Sequence, residues 1–285
     1  MQLERVKKIS PEEFRNEFVA KRKPVILQDA TKHWKALEKW SPEFWIKNYG
    51  NRKVVIDEKE YSLEDIINLS LKSYEQNPAP YYRNVRIAHE YPELISDISP
   101  ESEFCLPNYF LHKIFTPLRT SLFAYGQYEL FIGGKGRSFP YLHYDVPGAD
   151  TFIHQLAGEK ELILFSPDDS KFLYPKTGAE FNVSSIPDIE NVSLDKFPLF
   201  SNAKKLVAIL KPGESIYFPS GWWHTAKMLS FSISIGIDVA NQFNWKTVEG
   251  FLNKKANAKL SLFSPLFMMY IKTGEKLVRN QYSHN

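Results

Sequence analysis

The sequence has very little of three things: cysteine, net charge and long apolar segments. Cys105 is the only cysteine among 285 residues, so no disulfide can form within the chain. Because disulfides belong mainly to oxidising compartments, this favours the reducing cytoplasm. The first eight residues lack an apolar stretch of signal-peptide length, and the apolar segment at residues 260–271 is too short to cross a bilayer. We therefore expect a soluble cytoplasmic protein with no membrane partner.

The charge balance is also close to neutral. The chain has 36 Lys and Arg against 33 Asp and Glu, a formal charge of +3, and the basic residues are spread along it. This argues against nucleic-acid binding as the main role, although it leaves an RNA or protein substrate open. Hydrophobic residues make up 43% and aromatic residues 15% of the chain, which is enough for a large core.

The pattern along the chain predicts three regions within one structural unit. Residues 1–118 are mixed, with helix starts at Ser10, Ser41 and Ser62 and short strands at residues 24–27 and 53–56. Residues 119–240 are rich in short β runs between Gly, Pro and Asp turns, which indicates an antiparallel sandwich or barrel. These runs are residues 121–132, 151–156, 160–165, 206–210, 215–218 and 231–237, with a turn-rich excursion at 166–205. Residues 241–285 return to a helical pattern.

Two histidines and one aspartate have the residue types of an iron site. His143 and Asp145 are two residues apart, so on a strand their side chains share one face. His224 comes much later, after the turn residues Pro219 and Gly221, and a barrel can bring it alongside. Two imidazoles and a carboxylate on one face of an octahedral ion leave open positions, as in non-haem Fe(II) oxygenases.

A His-x-Asp pair alone is a weak signal, because such pairs are common on protein surfaces. Four other histidines have no partner at ligand spacing and are interpreted as structural or surface residues: His33, His89, His112 and His284. His154 is expected to point away from the face that Thr151 and Ile153 share, because side chains alternate along a strand.

Several segments around these residues resemble the cupin-like JmjC group of Fe(II)- and 2-oxoglutarate-dependent oxygenases, which includes asparaginyl hydroxylases and bacterial cupin-like proteins. The matching segments are residues 139–145 (Phe-Pro-Tyr-Leu-His-Tyr-Asp), 155–167, 173–175, 210–214 and 219–224. The resemblance covers roughly residues 120–240. It implies a mainly β fold, a double-stranded β-helix or jelly roll with flanking N- and C-terminal helices. It also implies Fe(II) held by His143, Asp145 and His224, with 2-oxoglutarate and O2 as cosubstrates.

The resemblance places the distal carboxylate of 2-oxoglutarate on Lys160. By strand alternation Lys160 shares a face with Leu162 and Leu164, and an inward lysine is costly unless an anion pairs with it. The alternative is a lysine at the strand entrance that reaches back to water.

Further cosubstrate contacts are predicted at Thr151, Tyr125 and Ser232. Ser232, Ser234 and Gly236 form a small polar face, which is either room for a ligand or the solvent face of an ordinary strand. One position departs from the family pattern: relatives often have Thr or Ser three residues before the first histidine, where this chain has Pro140.

These residues predict a dioxygenase that hydroxylates a C–H bond, with a peptide or protein side chain as the leading substrate class. The alternatives are hydroxylation of a small molecule or a tRNA base, and a non-catalytic cupin-fold binding protein. Cupin isomerases and dioxygenases that need no cosubstrate usually read His-x-His, so Asp145 disfavours them.

Two surfaces remain open to more than one interpretation. Residues 81–86 line either a substrate groove or the core, and the core is favoured. The apolar C-terminal helical segment either forms a homodimer, which is favoured, or packs on its own barrel.

Overall fold

A computed structural model describes residues 3–119 and 125–283. The strands are β1 Arg5–Val6, β2 Val25–Leu27, β3 Lys53–Ile56, β4 Lys59–Ser62, β5 Tyr82–Arg86, β6 Glu129–Gly133, β7 Asp150–Ala157, β8 Lys160–Phe165, β9 Leu206–Leu210, β10 Ser215–Phe218, β11 Trp223–Met228 and β12 Ser232–Val239. The α-helices are α1 Pro11–Phe14, α2 Ala36–Lys39, α3 Pro42–Tyr49, α4 Leu63–Leu71, α5 Ile87–Glu90, α6 Trp245–Leu260 and α7 Ser264–Ser283.

The strands form one large sheet, one small sheet and a hairpin. The seven-stranded sheet has the order β1-β2-β10-β7-β12-β6-β5, and the three-stranded sheet has the order β11-β8-β9. All pairs in these two sheets are antiparallel except β1 with β2. The hairpin consists of β3 and β4. The expectation of a mainly β jelly-roll core with flanking helices is confirmed.

The N-terminal region adds strands to the large sheet and packs helices on its outer face. Ser10 and Ser62 form capping boxes with Glu13 and Asp65, and Ser41 caps α3, as the sequence predicts. After α1 the chain continues as a wider helical turn through Arg15–Val19. The main hydrophobic core lies between these helices and one face of the sheet, and it includes Phe14, Trp34, Trp45, Tyr91 and Ile235.

The strand predictions of the barrel region hold with one partial match and one omission. The strands β8, β9 and β10 have the predicted bounds. The strand β7 is one residue longer than predicted at each end, and β12 begins one residue later and ends two residues later than predicted. The prediction for residues 121–132 is wrong for 125–128, because the strand there begins at Glu129; residues 121–124 lie outside the described residues. The strand β11 was not predicted. The excursion at 166–205 contains turns and 3-10 segments, as expected.

The C-terminal helices close one end of the molecule. A second core cluster joins them to the segment before β6 through Phe115, Trp245, Val248, Leu252 and Ile271. The opposite surface of this segment leaves several large apolar side chains exposed: Leu262, Phe263, Leu266 and Met269. Within the described ranges, no helix is both long and apolar enough to span a membrane.

Candidate metal centre

The three predicted ligands are brought together by backbone pairing between two segments. The backbone N–H of His143 donates to the carbonyl of His224 at 3.0 Å, and the N–H of His224 donates back at 2.6 Å. His224 is on β11, whereas His143 forms an isolated bridge and Asp145 lies in the loop that follows. The expectation that His143 and Asp145 occupy a regular strand is therefore wrong, although both side chains converge on one point.

The ligand atoms of the three side chains lie within 4.8 Å of one another. His143 Nε2 is 3.5 Å from Asp145 Oδ1, and His224 Nε2 is 3.7 Å from Asp145 Oδ2. The two imidazole centroids are 4.3 Å apart. One ion placed between the two ring nitrogens and the carboxylate would be within reach of all three groups.

The residues around the three side chains fix their orientation. The Thr151 hydroxyl donates to Asp145 Oδ2 at 2.7 Å, and His224 Nδ1 lies 3.2 Å from the carbonyl of Trp222. Such outer partners orient metal ligands. His143 is held differently, because Phe139 stacks on its ring at 4.6 Å and 13°. Its buried Nδ1 atom has no hydrogen-bond partner in the described part of the chain.

A buried network anchors the strand that carries Thr151. Asp150, at the start of β7, accepts hydrogen bonds from Arg22 Nη1 at 2.7 Å and from the backbone N–H of Ser220 at 2.9 Å. Its other oxygen accepts from the Tyr217 hydroxyl at 2.9 Å and from Asn241 Nδ2 at 3.1 Å. Because Ser220 precedes His224 in the turn before β11, this network links the position of Thr151 to that of the second histidine ligand.

The protonation states suit a divalent metal. Burial lowers the pKa of His224 to about 4, so its imidazole is neutral at pH 7 and has a free lone pair. Burial alone would raise the pKa of Asp145, but His224, His143 and the Thr151 hydroxyl together hold it below its usual value. Two imidazoles and one carboxylate with an open side are the donor set of non-haem Fe(II) sites. The residues present therefore fit Fe(II).

The ligands lie in the wall of a cavity of about 310 Å³. Its lining combines apolar groups with a few polar ones, as is usual for small-molecule sites. The lining residues include Tyr81, Tyr125, Phe131, Phe139, Ile153 and Ile237 on the apolar side, and Asn84, Arg86, Glu129, Thr151, Lys160 and Asp238 on the polar side.

Lys160 extends into this cavity from β8. It is 3% exposed, its Nζ donates to Ser234 Oγ, and it lies 5.5 Å from the centre of the Phe131 ring. Burial lowers the pKa of Lys160 to about 7. Within the described residues no carboxylate lies within ion-pair distance of Lys160. An inward lysine without an anion is the arrangement that a ligand carboxylate would complete.

The other predicted cosubstrate residues are placed differently from one another. Thr151 and Tyr125 both line the cavity, but the Thr151 hydroxyl is bonded to Asp145, and the Tyr125 hydroxyl accepts from Lys255 Nζ at 2.9 Å. Ser232 is buried and accepts from Gln155 Nε2 at 2.9 Å. Ser234, two residues further on β12, is the serine that contacts Lys160.

The small polar face of β12 is buried, which decides between the two interpretations of it. Gly236 lines the cavity, and Ser232 and Ser234 are at most 1% exposed, so this is not a solvent face. Residues 81–86 are divided between both predicted roles. Tyr82 and Val85 lie in the core, whereas Tyr81, Asn84 and Arg86 line the cavity.

Sequence reasoning missed two acidic residues of the cavity, Glu129 and Asp238. Glu129 lies on β6 and accepts from Asn84 Nδ2 at 2.9 Å, and Asp238 lies near the end of β12. Burial, reinforced by Asp145, raises the pKa of both carboxyl groups. A signal was present, because each carboxylate interrupts an otherwise apolar strand.

The remaining histidines lie away from the centre. His154 is buried on the opposite face of β7, with Nδ1 2.7 Å from Ser215 Oγ, as alternation predicted. His33 bonds with the carbonyl of Pro100, His112 bonds with Gln281, and His89 is largely exposed. His284 lies outside the described residues.

The fold and its His-Asp-His centre define a metal-binding barrel of the cupin type. A family model described as a cupin-like domain matches residues 11–250. The chain belongs to this cupin-like JmjC family, as the sequence resemblance predicted. The family uses Fe(II), 2-oxoglutarate and O2, and the three converging side chains are the candidate iron ligands here.

Curated proteins similar to this chain have several different names. Lysine-specific demethylase 8 of Xenopus tropicalis is 29% identical over 236 residues, which cover 79% of this chain and 50% of that protein. Arginine-specific demethylase JMJ22 of Arabidopsis thaliana is 29% identical over 266 residues, 90% of this chain and 49% of that protein. The tRNA wybutosine-synthesizing protein 5 of Mus musculus is 24% identical over 255 residues, 82% of this chain and 76% of that protein. The chain thus spans about half the length of the first two relatives.

Proposed function

We propose that this chain is an Fe(II)- and 2-oxoglutarate-dependent dioxygenase that hydroxylates a C–H bond in a peptide or protein side chain. The observation that carries the proposal is the pairing of two features in one cavity. The His143, Asp145 and His224 side chains converge on one wall, and the buried ammonium group of Lys160 lies in the same cavity without a carboxylate partner among the described residues.

In this proposal the protein has three roles: it binds the metal, it binds the cosubstrate and it positions the substrate. His143, Asp145 and His224 hold the iron on one side and leave the cavity side open. Lys160 pairs with the distal carboxylate of 2-oxoglutarate, and the Ser234 hydroxyl supplies the second contact that Pro140 cannot. Bound Fe(II), 2-oxoglutarate and O2 supply the oxidising chemistry, while the protein positions the substrate and excludes water.

A peptide or protein substrate is supported by the size of the opening and by the relatives. An open cleft of about 1060 Å³ adjoins the cavity and is larger than a small metabolite needs. Two relatives are named as lysine- and arginine-specific demethylases. Loss of an N-methyl group begins with hydroxylation of that methyl group, so the same centre would serve either outcome. A tRNA base is the second candidate, since another relative is a tRNA wybutosine-synthesizing protein.

The test is an anaerobic titration of the purified chain with Fe(II) and then 2-oxoglutarate. We expect the weak metal-to-ligand charge-transfer absorption of an iron-bound 2-oxo acid, and succinate formation after air is admitted. A Lys160→Met variant should need much more 2-oxoglutarate to reach the same absorption, whereas Lys227→Met, which changes a half-buried lysine paired with Glu190, should titrate like the parent. Absence of the absorption in the parent protein would favour a non-catalytic cupin-fold binding protein.

We also propose that the chain acts in the cytoplasm and forms a homodimer. A single cysteine, Cys105, and therefore no disulfide within the chain is what a reducing compartment favours. The dimer would cover the exposed apolar residues Leu262, Phe263, Leu266 and Met269, of which Leu262 is 89% exposed. Light scattering at micromolar concentration should give twice the chain mass, and Leu262→Asp with Leu266→Asp should give the single mass.

A further inference from the structure

An open cleft runs beside the metal cavity, between the β3–β4 hairpin and β5. It has a volume of about 1060 Å³ and is lined on one side by residues 52–57 and on the other by residues 81–86. Four residues line both the cleft and the metal cavity: Tyr81, Asn84, Arg86 and Gln127. A chain lying in the cleft could therefore extend one side chain into the cavity.

One wall of this cleft is the free edge of a sheet. The strand β5 is the last strand of the seven-stranded sheet, and within the described residues it pairs only with β6. The pairing shifts register between Tyr82 and Val85, and Asn84 within that bulge has φ +56°. The bulge directs Asn84 toward Glu129 in the cavity. A free edge presents backbone N–H and C=O groups that an extended peptide can pair with.

The cleft carries an excess of positive charge. Its lining includes five basic residues, Arg52, Lys53, Arg83, Arg86 and Arg137, and two acidic ones, Asp57 and Glu90. Glu90 already pairs with Arg52. Among the described residues, no carboxylate lies within ion-pair distance of Arg83, Arg86 or Arg137.

A ring contact links Arg83 to the candidate metal centre. Its guanidinium lies 5.2 Å from the centre of the Phe139 ring, and the same ring stacks on the ligand His143 at 4.6 Å. The guanidinium is therefore within about 10 Å of the metal ligand, a span that an extended peptide covers in roughly three residues.

We propose that this cleft binds an extended acidic segment of the substrate, paired along the free edge of β5, with a carboxylate on Arg83 about two or three residues from the modified side chain. The inference rests on the proposed peptide or protein substrate. It specifies the charge of the substrate, because a neutral or basic flanking sequence would leave Arg83 and Arg86 without an anion. The strand edge favours a peptide over RNA, since it supplies partners for a peptide backbone.

The test measures binding to the full chain by fluorescence anisotropy, without turnover. The main probe is a labelled decapeptide of alternating Glu and Thr. The comparison probes are the matching Lys and Thr decapeptide, a Glu and Thr decapeptide N-methylated at alternate residues, and a ten-nucleotide oligouridylate. We expect the acidic peptide to bind tightest, and N-methylation to weaken it by about tenfold, because edge pairing needs backbone N–H groups.

Variants on both walls test the charge. Arg83→Glu and Lys53→Glu should each weaken the acidic peptide by roughly fivefold or more, since each reverses one charge in the cleft. Lys171→Glu makes the same charge change at an exposed lysine elsewhere and should bind like the parent. Lys53 is exposed on the hairpin, so its variant still tests the charge should Arg83→Glu fail to fold.

Tighter binding of the basic peptide, or of the oligouridylate through the same two residues, would overturn the inference. Equal binding of the N-methylated peptide would overturn the edge pairing. These outcomes are separate from a failure of the proposed function, which would appear as a missing charge-transfer absorption while the acidic peptide still binds.

Discussion

Each face of β7 has a buried histidine beside it: His154, on β7 itself, points to the core, and His224, on β11, points to the metal cavity. On the core face, burial lowers the pKa of His154 to about 3, and its ring contacts Ser215 Oγ at 2.7 Å and Cys105 Sγ at 3.8 Å. On the cavity face, burial lowers the pKa of His224 to about 4, and its Nε2 lies 3.7 Å from Asp145. Both imidazoles are neutral at pH 7, so burial and pKa alone do not identify a metal ligand.

The two faces differ in how many of their polar groups still lack a partner and could bind another molecule. The two ring nitrogens of His154 contact the Ser215 hydroxyl and the Cys105 thiol of the same chain. On the cavity face, a carboxylate and two imidazoles converge, and Lys160 has only a serine hydroxyl and an aromatic ring beside it. Charged groups with incomplete partners are typical of a binding site, whereas a face whose polar atoms are all hydrogen-bonded is typical of a core.

The largest predicted effect is a difference in iron binding between two alanine variants, one at each kind of histidine. His143→Ala should lower iron affinity strongly. Removing an outer partner of a metal ligand already costs roughly 10- to 100-fold in affinity, and the loss of a ligand itself should cost more. His154→Ala should keep iron binding but lose stability by about 2–4 kcal/mol, because it leaves a core cavity and an unpaired Ser215. Iron content after dialysis and urea unfolding measure the two effects.

The comparison fails if the two variants behave alike. Full iron binding in His143→Ala would remove that residue from the ligand set. Loss of iron in a folded His154→Ala would mean that the core face contributes to the centre. Asp145→Asn serves as a third variant, since it keeps the side-chain shape while removing the charge that both histidines face.

The second prediction concerns the pH dependence of 2-oxoglutarate affinity. Lys160 has a pKa of about 7 in the empty cavity, and a bound carboxylate favours its protonated form. Below pH 7 the ammonium is already present, so affinity should change little. Above pH 7 binding must take up a proton, so affinity should fall by up to about tenfold per pH unit. Anaerobic titrations between pH 6 and 9 measure this.

Lys160→Arg provides the matched control, because a guanidinium stays charged through this range. Its 2-oxoglutarate affinity should be nearly flat above pH 7, even if it is weaker throughout. An equal decline in both proteins would assign the pH dependence to another group and would remove support for Lys160 as the carboxylate partner.

The architecture was largely predictable because its signals are local. The capping boxes at Ser10 and Ser62 and the apolar runs of β8, β9 and β10 each lie within a few residues. The strand β11 was missed because Trp223–Met228 mixes aromatic, polar and charged residues, and it forms a strand through pairing with β8 and with the His143 segment. Such pairing depends on residues distant in sequence.

The site was predictable to the extent that its motif is compact. His143, Asp145 and Lys160 stood out, but Glu129 and Asp238 did not, since only the folded sheet shows that β6 and β12 direct them into one cavity. Thr151 also has a contact that the sequence did not predict, because its hydroxyl donates to the candidate ligand Asp145. Its contact with the cosubstrate stays a prediction.

The smallest expected effect tests that hydroxyl. Thr151→Val removes the 2.7 Å hydrogen bond to Asp145 Oδ2 while keeping the shape of the side chain. Without this bond the carboxylate is less well oriented and its pKa rises, so Fe(II) affinity should fall by about tenfold. Thr225→Val is the matched control, because Thr225 follows the ligand His224 but its hydroxyl points to the carbonyl of Phe139 at 3.5 Å. If both variants bind Fe(II) like the parent protein, Thr151 does not position Asp145, and the three candidate ligands bind the metal without help from β7.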